Sequence, residues 1–502
     1  SGNAPLDMRF HFNPGKSVFN DTVWNITPSD IRFCDRRLTV DRFNVSRPGQ
    51  QISINGIASE SADDSVHVHL DDINLDYVFE TLGIANAMFG GRATGNFYAA
   101  AALSPSPRLY TDDLHVAGIK YNYCRMGDAD IRSRWDVDEK AVRIYADIAG
   151  EHGNISTIDG MIKPLTEELD FRFHADDVPV GFLKPFMEAF TSDVKGHASG
   201  DAHLYGTFKL LDMTGDLFAR DFTLKLDFTN CYYSTTDSIH LRPGRIDIPS
   251  VRLRDPMGHT ALLNGLVTHH CFKEPTFDFA VTEAKSLLVY DIAPTAETIW
   301  YGKVFGNGGA HVKGVPGRID IGVDMATAPG SSFSFVLSDS EEASDYDFIT
   351  FRDITPVDPD LANRPPTTLD IIADLRKRVA AHSDVQSSPS IYNMEFDIDV
   401  NPNTLVTLVM DPVGGDRIRA RGSGNMRLAY NSADDDLKLY GRYTLTEGSY
   451  NFTLQDIIIK EFTIDDGSEI SFTGNPYAPQ LDVKAIYSLN ANLSDLDESF
   501  LQ

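Results

Sequence analysis

Leu437-Lys438-Leu439-Tyr440-Gly441-Arg442-Tyr443-Thr444-Leu445 and, four residues on, Tyr450-Asn451-Phe452-Thr453-Leu454 alternate apolar with polar at nearly every step. Side chains of a β-strand point to opposite faces in turn, so this spacing predicts strands with one apolar and one wetted face. Leu437, Leu439, Gly441, Tyr443 and Leu445 share the apolar face with Tyr450, Phe452 and Leu454. Lys438, Tyr440, Arg442, Thr444, Asn451 and Thr453 share the other. Upstream, Met394, Phe396, Ile398 and Val400, then Met426, Leu428 and Tyr430, continue the apolar face. Downstream it takes Phe462, Ile464, Ile470, Phe472, Leu481, Val483 and Ala485. A slip of one residue would turn every strand inside out, so the register is a firm expectation.

Earlier segments repeat the pattern. Val142, Ile144, Ala146 and Ile148 alternate with Arg143, Tyr145 and Asp147. Leu169, Phe171 and Phe173 do the same, as do Ala261, Leu263 and Val267, then Ile319, Ile321, Val323 and Met325. Turn residues such as Glu151-His152-Gly153-Asn154, Asp255-Pro256-Met257-Gly258 and Pro316-Gly317 punctuate the runs. Helical spacing is rare: Leu75, Val78, Phe79 and Leu82 form one face, and Phe182, Leu183, Phe186, Met187 and Phe190 another. Each precedes a glycine step and a new strand, Gly91 to Phe97 and Gly196 to Ala202, with Gly95 and Gly200 lying 105 residues apart. A weaker third copy runs from Ser286-Leu287-Leu288-Val289 to Gly308-Gly309-Ala310-His311-Val312. The short period of a parallel β-helix is absent. The expected fold is mainly β: a long, twisted antiparallel sheet folded into an elongated trough, with a few short helices.

The expected divisions are a partial β unit over 1–65 and repeats over 66–168, 169–276 and 277–337. An acidic, Pro-rich linker over 338–390 follows, with a helix expected at Leu369 to Ala381, and then a C-terminal β domain over 391–502. Ser1-Gly2-Asn3-Ala4-Pro5 carries neither an initiator Met nor the charged and apolar parts of a targeting signal, so the chain reads as a piece of a longer protein.

In 502 residues, 44 Lys and Arg face 73 Asp and Glu, a net charge of −29. That balance argues against nucleic acid and against a polybasic membrane patch, both of which need clustered cations. Cys34, Cys124, Cys231 and Cys271 form no CxxC pair, which removes structural zinc. A Cys231–Cys271 bridge is open to an oxidising compartment.

His67 and His69 lie on one strand face at metal-ligand spacing, but no third ligand joins them. The adjacent histidines His269 and His270 face opposite ways. Asp434-Asp435-Asp436 and Asp465-Asp466-Gly467 read as hairpin turns rather than calcium loops. The chain has no nucleophile elbow, phosphate loop or HExxH helix, and no carboxylate pair stands out as acid and base. Six Asn-x-Ser/Thr triplets, beginning at Asn20, Asn25, Asn44, Asn154, Asn451 and Asn492, are what chance allows in such a composition. No enzyme activity and no cofactor is expected.

Residues 422–485 carry a resemblance. Gly422-Ser423-Gly424-Asn425-Met426, Gly441-Arg442-Tyr443 with Glu447-Gly448-Ser449-Tyr450, Phe462-Thr463-Ile464-Asp465-Asp466-Gly467-Ser468-Glu469-Ile470 to Asn475-Pro476, and Pro479-Gln480-Leu481-Asp482-Val483 resemble the C-terminal domain of the TamB family. TamB is the inner-membrane component of the translocation and assembly module. The upstream repeats are more loosely similar to the wider AsmA-like group.

The resemblance implies a periplasmic bridge, anchored to the inner membrane by an N-terminal helix outside this stretch. It further implies partnership with an outer-membrane barrel protein and an apolar trough for phospholipid acyl chains. The residues expected to line that trough are those of the apolar face from Met394 to Val483 named above. A secreted β-solenoid or adhesin with a sealed core needs the same alternation, and period two alone does not separate the two.

Overall fold

The computed structural model describes residues 7–19, 22–81, 89–105, 107–188, 190–295, 298–337, 391–411, 414–434, 436–454 and 458–488. The protein is mainly β, with 75% of the described residues in strand and 3% in helix. The expected helix at 369–381 lies outside the described residues, as does Leu82. Two compact units meet at Pro275/Thr276.

Unit 1 begins with β1 (Asp7–Phe12), β2 (Gly15–Phe19), β3 (Thr22–Ile26), β4 (Ser29–Cys34), β5 (Arg37–Arg47), β6 (Gln50–Ala58), β7 (Ser65–Asn74) and helix α1 (Leu75–Thr81). It continues with β8 (Phe89–Ala100), β9 (Arg108–Tyr121), β10 (Cys124–Asp136), β11 (Ala141–Ala149), β12 (Ile155–Lys163) and β13 (Glu168–Pro179). A 3₁₀ turn at Val180–Leu183 then leads into α2 (Lys184–Met187), β14 (Val194–Thr207), β15 (Leu210–Leu226), β16 (Cys231–Arg242), β17 (Arg245–Arg254) and β18 (Thr260–His270). From β5 to β18 each strand pairs antiparallel with the next.

One device recurs through this unit. Asp72, Asp177, Asp221 and Ser250 interrupt their ladders at positive φ, between 44° and 55°. A bulge bends its strand and takes one N–H out of the ladder, and that N–H needs another acceptor. Each finds a side-chain oxygen on the next strand. Asp72 donates to Thr94 Oγ1 at 3.0 Å, Asp177 to Ser199 Oγ at 2.9 Å, Asp221 to Thr236 Oγ1 at 3.0 Å and Ser250 to Asn264 Oδ1 at 2.9 Å.

The first two pairs lie 105 residues apart, 72 to 177 and 94 to 199, so the repeat seen in the glycines is also a repeat of capped bulges. Buried apolar side chains sit beside the bulges, among them Ile73, Ala93, Ala219 and Val251. Helix α1 packs on β8, and the 3₁₀ turn packs on β14 and β10.

Unit 2 contains β19 (Lys273–Ile292), which starts just before the boundary, β20 (Trp300–Val315), β21 (Arg318–Thr327) and β22 (Ser332–Val336). It continues with β23 (Ile391–Val400), β24 (Leu405–Asp411), β25 (Asp416–Asn431), β26 (Asp436–Leu454), β27 (Ile458–Ile464), β28 (Glu469–Gly474), β29 (Gln480–Asp482) and β30 (Ala485–Ile486). The third copy of the repeat departs from expectation here. Ser286-Leu287-Leu288-Val289 lies within strand β19, with Leu287 and Leu288 buried, rather than in a helix. It keeps the bulge cap, since Ser286 N–H donates to Asn307 Oδ1 at 2.8 Å.

Long strands then alternate with rows of two short ones. β20 pairs with β21 along its second half and with β22 along its first. β23 and β24 follow in parallel register, both pair with β25, and β25 pairs with the full length of β26. β26 in turn pairs with β28 and β27 along its two halves. Among the described residues these two pairings are the parallel ones in an otherwise antiparallel sheet. Ile391 stands beside Arg318 and Leu405 beside Ser332, so each later strand runs in the same direction as its earlier neighbour.

Candidate functional site: the apolar inner face of unit 2

Cross-strand register shows which residues share a face. Met394, Phe396 and Ile398 stand opposite Tyr430, Leu428 and Met426. Leu428 and Tyr430 stand opposite Leu439 and Leu437. Tyr443 is opposite Ile470, Gly441 opposite Phe472, and Ile470 opposite Leu481. On the other half, Tyr450 is opposite Ile418 and Phe462, and Gly448 is opposite Ile464. These residues form one inner face of unit 2, while Lys438, Tyr440 and Arg442 are exposed on the outer one.

Between Leu445 and Tyr450 the apolar residues change from odd to even positions, and the structure supplies the cause. Gly422 pairs with Leu445 and Arg421 with Glu447, so Thr446 is left over as a bulge. Neighbouring rows turn at the same place. Ala328 to Ser331 separates β21 from β22, Asn401 to Thr404 separates β23 from β24, and Asp465 to Ser468 separates β27 from β28. Asp465-Asp466-Gly467 is therefore not the expected hairpin turn but a corner between two strands that both pair with β26.

Hydroxyls satisfy the corner backbone. Thr327 Oγ1 and Thr404 Oγ1 are 2.6 Å apart, Asn401 N–H donates to Thr327 Oγ1 at 2.8 Å, and Phe305 N–H donates to Ser331 Oγ at 3.0 Å. A line of corners folds the sheet into two walls meeting at a floor. Gly422 and Gly424 permit the tight approach there. A Cβ on Gly424 would stand 2.1 Å from the Arg442 carbonyl oxygen, and one on Gly422 2.1 Å from that of Thr444. This is the physical content of the Gly422-Ser423-Gly424 motif.

Burial follows depth. At the floor, Tyr443, Leu445, Ile464 and Ile470 are buried in one cluster with Phe335, Leu408, Ile418 and Ala420, and Leu445 has no exposed surface. Met394 and Leu428 are buried elsewhere on the face. Away from the floor, Phe396, Ile398, Met426, Leu437, Leu439, Tyr450, Phe452, Phe462, Phe472 and Val483 are only partly buried, and Leu481 is exposed. The Leu454 side chain lies outside the described residues. Tyr450 stacks near Phe452 and Phe462 at 6.2 and 5.9 Å, which gives one wall an aromatic surface.

Reading the sequence missed Phe335, Leu408, Ile418 and Ala420. A signal existed for two of them, because Arg417, Arg419 and Arg421 alternate with Ile418 and Ala420. Burial pushes the Tyr443 hydroxyl's pKa well above its usual range. On the outer face Arg421 pairs with Glu447 and Arg442 with the half-buried Glu469, both at 2.9 Å.

The other candidates are accounted for by local contacts. His67 Nε2 and His69 Nδ1 lie 2.8 and 2.9 Å from the same Asn96 Oδ1. Among the described residues no group of three or more His, Cys, Asp or Glu is arranged to hold a metal ion. His269 accepts the Phe272 N–H and stacks on its ring. All four cysteines carry free thiols, so Cys231 and Cys271 are not bridged. Among the described residues no helix is long and apolar enough to cross a membrane.

A bent, one-sided sheet with an apolar inside defines a β scaffold of the envelope-module kind. The TamB C-terminal domain family matches residues 250–501, half of the chain, and the protein belongs to that family. The match starts within β17, well upstream of the C-terminal β domain expected from residue 391. No curated protein and no solved structure matches the chain. The TamB family is a cell-envelope family, a non-enzymatic component of the translocation and assembly module whose membership implies partnership with an outer-membrane assembly component.

Proposed function

We propose that the apolar inner face is a groove that shields phospholipid acyl chains between inner and outer membranes, within a periplasmic bridge that supports outer-membrane biogenesis and protein secretion. The observation that carries this reading is the burial gradient of unit 2. Large apolar side chains, among them Phe396, Leu439, Tyr450, Phe452 and Phe462, stay partly exposed above a sealed floor. A closed core would bury them as completely as Leu445. Each CH₂ withdrawn from water is worth about 0.8 kcal/mol, so two long acyl tails in water cost on the order of 20 kcal/mol. A continuous apolar wall removes most of that cost without any chemistry of its own.

The floor cluster by itself suits the rival reading of a purely structural protein, and neighbouring residues separate the two. A photo-crosslinking residue at Leu439 should capture phospholipid in cells, while one at Lys438, on the opposite face, should not. Leu439→Asp should leave the fold intact, since a partly exposed carboxylate stays hydrated, and should reduce lipid recovered with the protein. Equal capture at both positions, or unfolding by Leu439→Asp with no lipid on the wild-type protein, would favour the structural reading.

A further inference from the structure

On the wall of unit 2 that holds Tyr450, cross-strand register arranges the inner face in rows. The row nearest the bend carries Val406, Ala420, Gly448 and Ile464, and the next one Leu408, Ile418, Tyr450 and Phe462. Neither row holds a charge. One step further out, Phe452 stands opposite Lys460, which shares the face of Phe462 and Ile464. Asp416, two residues before Ile418 on β25, shares that face on the other side of Phe452. Both charged side chains keep part of their surface open at this rim.

Their polar surroundings are few. Lys460 Nζ lies 4.6 Å from the centre of the Tyr487 ring, which is exposed and packs near Phe462 at 5.4 Å. Among the described residues Lys460 makes no ion pair. Asp416 accepts the Thr453 N–H at 2.6 Å. Burial, and then the Asp416 charge, push the Tyr450 hydroxyl's pKa above its usual range. In a chain of 73 acidic and 44 basic residues, a lysine that leans on a ring instead of a carboxylate is out of keeping. Its hydrocarbon stem suits the apolar wall, and its ammonium group is left to meet an anion at the water's edge.

We infer that Lys460 and Asp416 form a headgroup site at the rim of the groove, selective for zwitterionic phospholipid. Lys460 takes the phosphate, and Asp416, about 10 Å away across two strand spacings, takes the ammonium terminus. The acyl chains then run past Phe452, Tyr450 and Phe462 toward the floor. The inference rests on the groove reading above and names the headgroup that the groove takes. A hydrocarbon wall holds any alkyl chain alike, so selection falls to these two charges.

The test offers vesicles of equal phosphatidylethanolamine and phosphatidylglycerol, with identical acyl chains, to the purified 502-residue chain and its variants. Lipid on the reisolated protein is counted by mass spectrometry, and thermal unfolding checks the fold. Wild type should load phosphatidylethanolamine about threefold over phosphatidylglycerol, as suits charge contacts that stay partly wet. Lys460→Gln should load about threefold less lipid in total, while Lys460→Arg, which keeps the charge, should load as wild type does. Asp416→Asn keeps an acceptor for the Thr453 N–H and should take up both lipids alike. Excess inorganic phosphate should displace no lipid, because it brings no acyl chains. Displacement would assign Lys460 to free anions and overturn the headgroup site. Equal loading by wild type and Lys460→Gln, no preference in wild type, or a preference that survives in Asp416→Asn also overturns the site, and each leaves the groove standing. Absence of lipid from every protein overturns both.

Discussion

The two units make the same kind of bend with different parts. Unit 1 folds its strands at single left-handed residues whose displaced amides are capped by Thr94, Ser199, Thr236 and Asn264, and its most buried side chains are mostly small. Unit 2 mostly cuts its strands in two at the bend and fills the angle with Phe335, Tyr443, Leu445, Ile418 and Ile470. A single bulge keeps the strand continuous and leaves little volume to fill. A multi-residue corner lets the two walls swing toward each other, and the floor must then be packed with large side chains. Stability in unit 2 should therefore concentrate in a few floor residues, and in unit 1 spread over many small contributions.

The largest expected effect tests that concentration. Leu445→Ala should cost about 2–5 kcal/mol, the range for a fully buried leucine that leaves a cavity. Leu439→Ala on the wall should cost about 1 kcal/mol, because only part of its surface leaves water on folding. Denaturant midpoints followed by near-ultraviolet circular dichroism would show the gap, and equal losses at both positions would remove the distinction between floor and wall.

A middle-sized effect belongs to unit 1. Ser199→Ala leaves the Asp177 amide without its acceptor and should cost about 1–2 kcal/mol. Hydrogen exchange at Asp177 should speed up more than at flanking ladder amides. Exchange unchanged there would mean that the cap does not hold the bulge.

The smallest effect is electrostatic and sits on the outer face of unit 1. Hydrogen bonds from His240 and Arg242 hold the Asp216 carboxyl below the usual carboxylate range. A carboxyl depressed on folding stabilises the protein above its unfolded pKa, near 4, and that contribution disappears as pH falls through the folded value. Asp216→Asn should therefore slightly flatten the loss of stability below about pH 4 and leave the slope above pH 6 unchanged. An acid limb identical to wild type would mean the pair is silent, as many exposed ion pairs are.

Much of this was written along the chain. Alternation placed Leu437 to Leu445 and Tyr450 to Phe452 on one face because a strand has only two faces to choose between. The shift from odd to even positions across Thr446 even marked the bend, although nothing local distinguished a bulge from two separate strands. The 105-residue spacing of Gly95 and Gly200 marked a repeat whose meaning, capped bulges at Asp72 and Asp177, appeared only once neighbouring strands were aligned.

Tertiary structure alone decided which wall faces which. Phe335 and Ile418 meet Tyr443 and Ile470 across the floor because distant corners fall into line, and period two carries no information about what lies opposite a face. The parallel step from β21 to β23 had the same origin, for alternation says nothing about the direction in which a neighbouring strand runs. The depth of Tyr443 was likewise invisible in its own strand. Leu439, partly exposed, and Tyr443, sealed, share one face of the same strand four positions apart, and only the fold determines which of them lies at the floor.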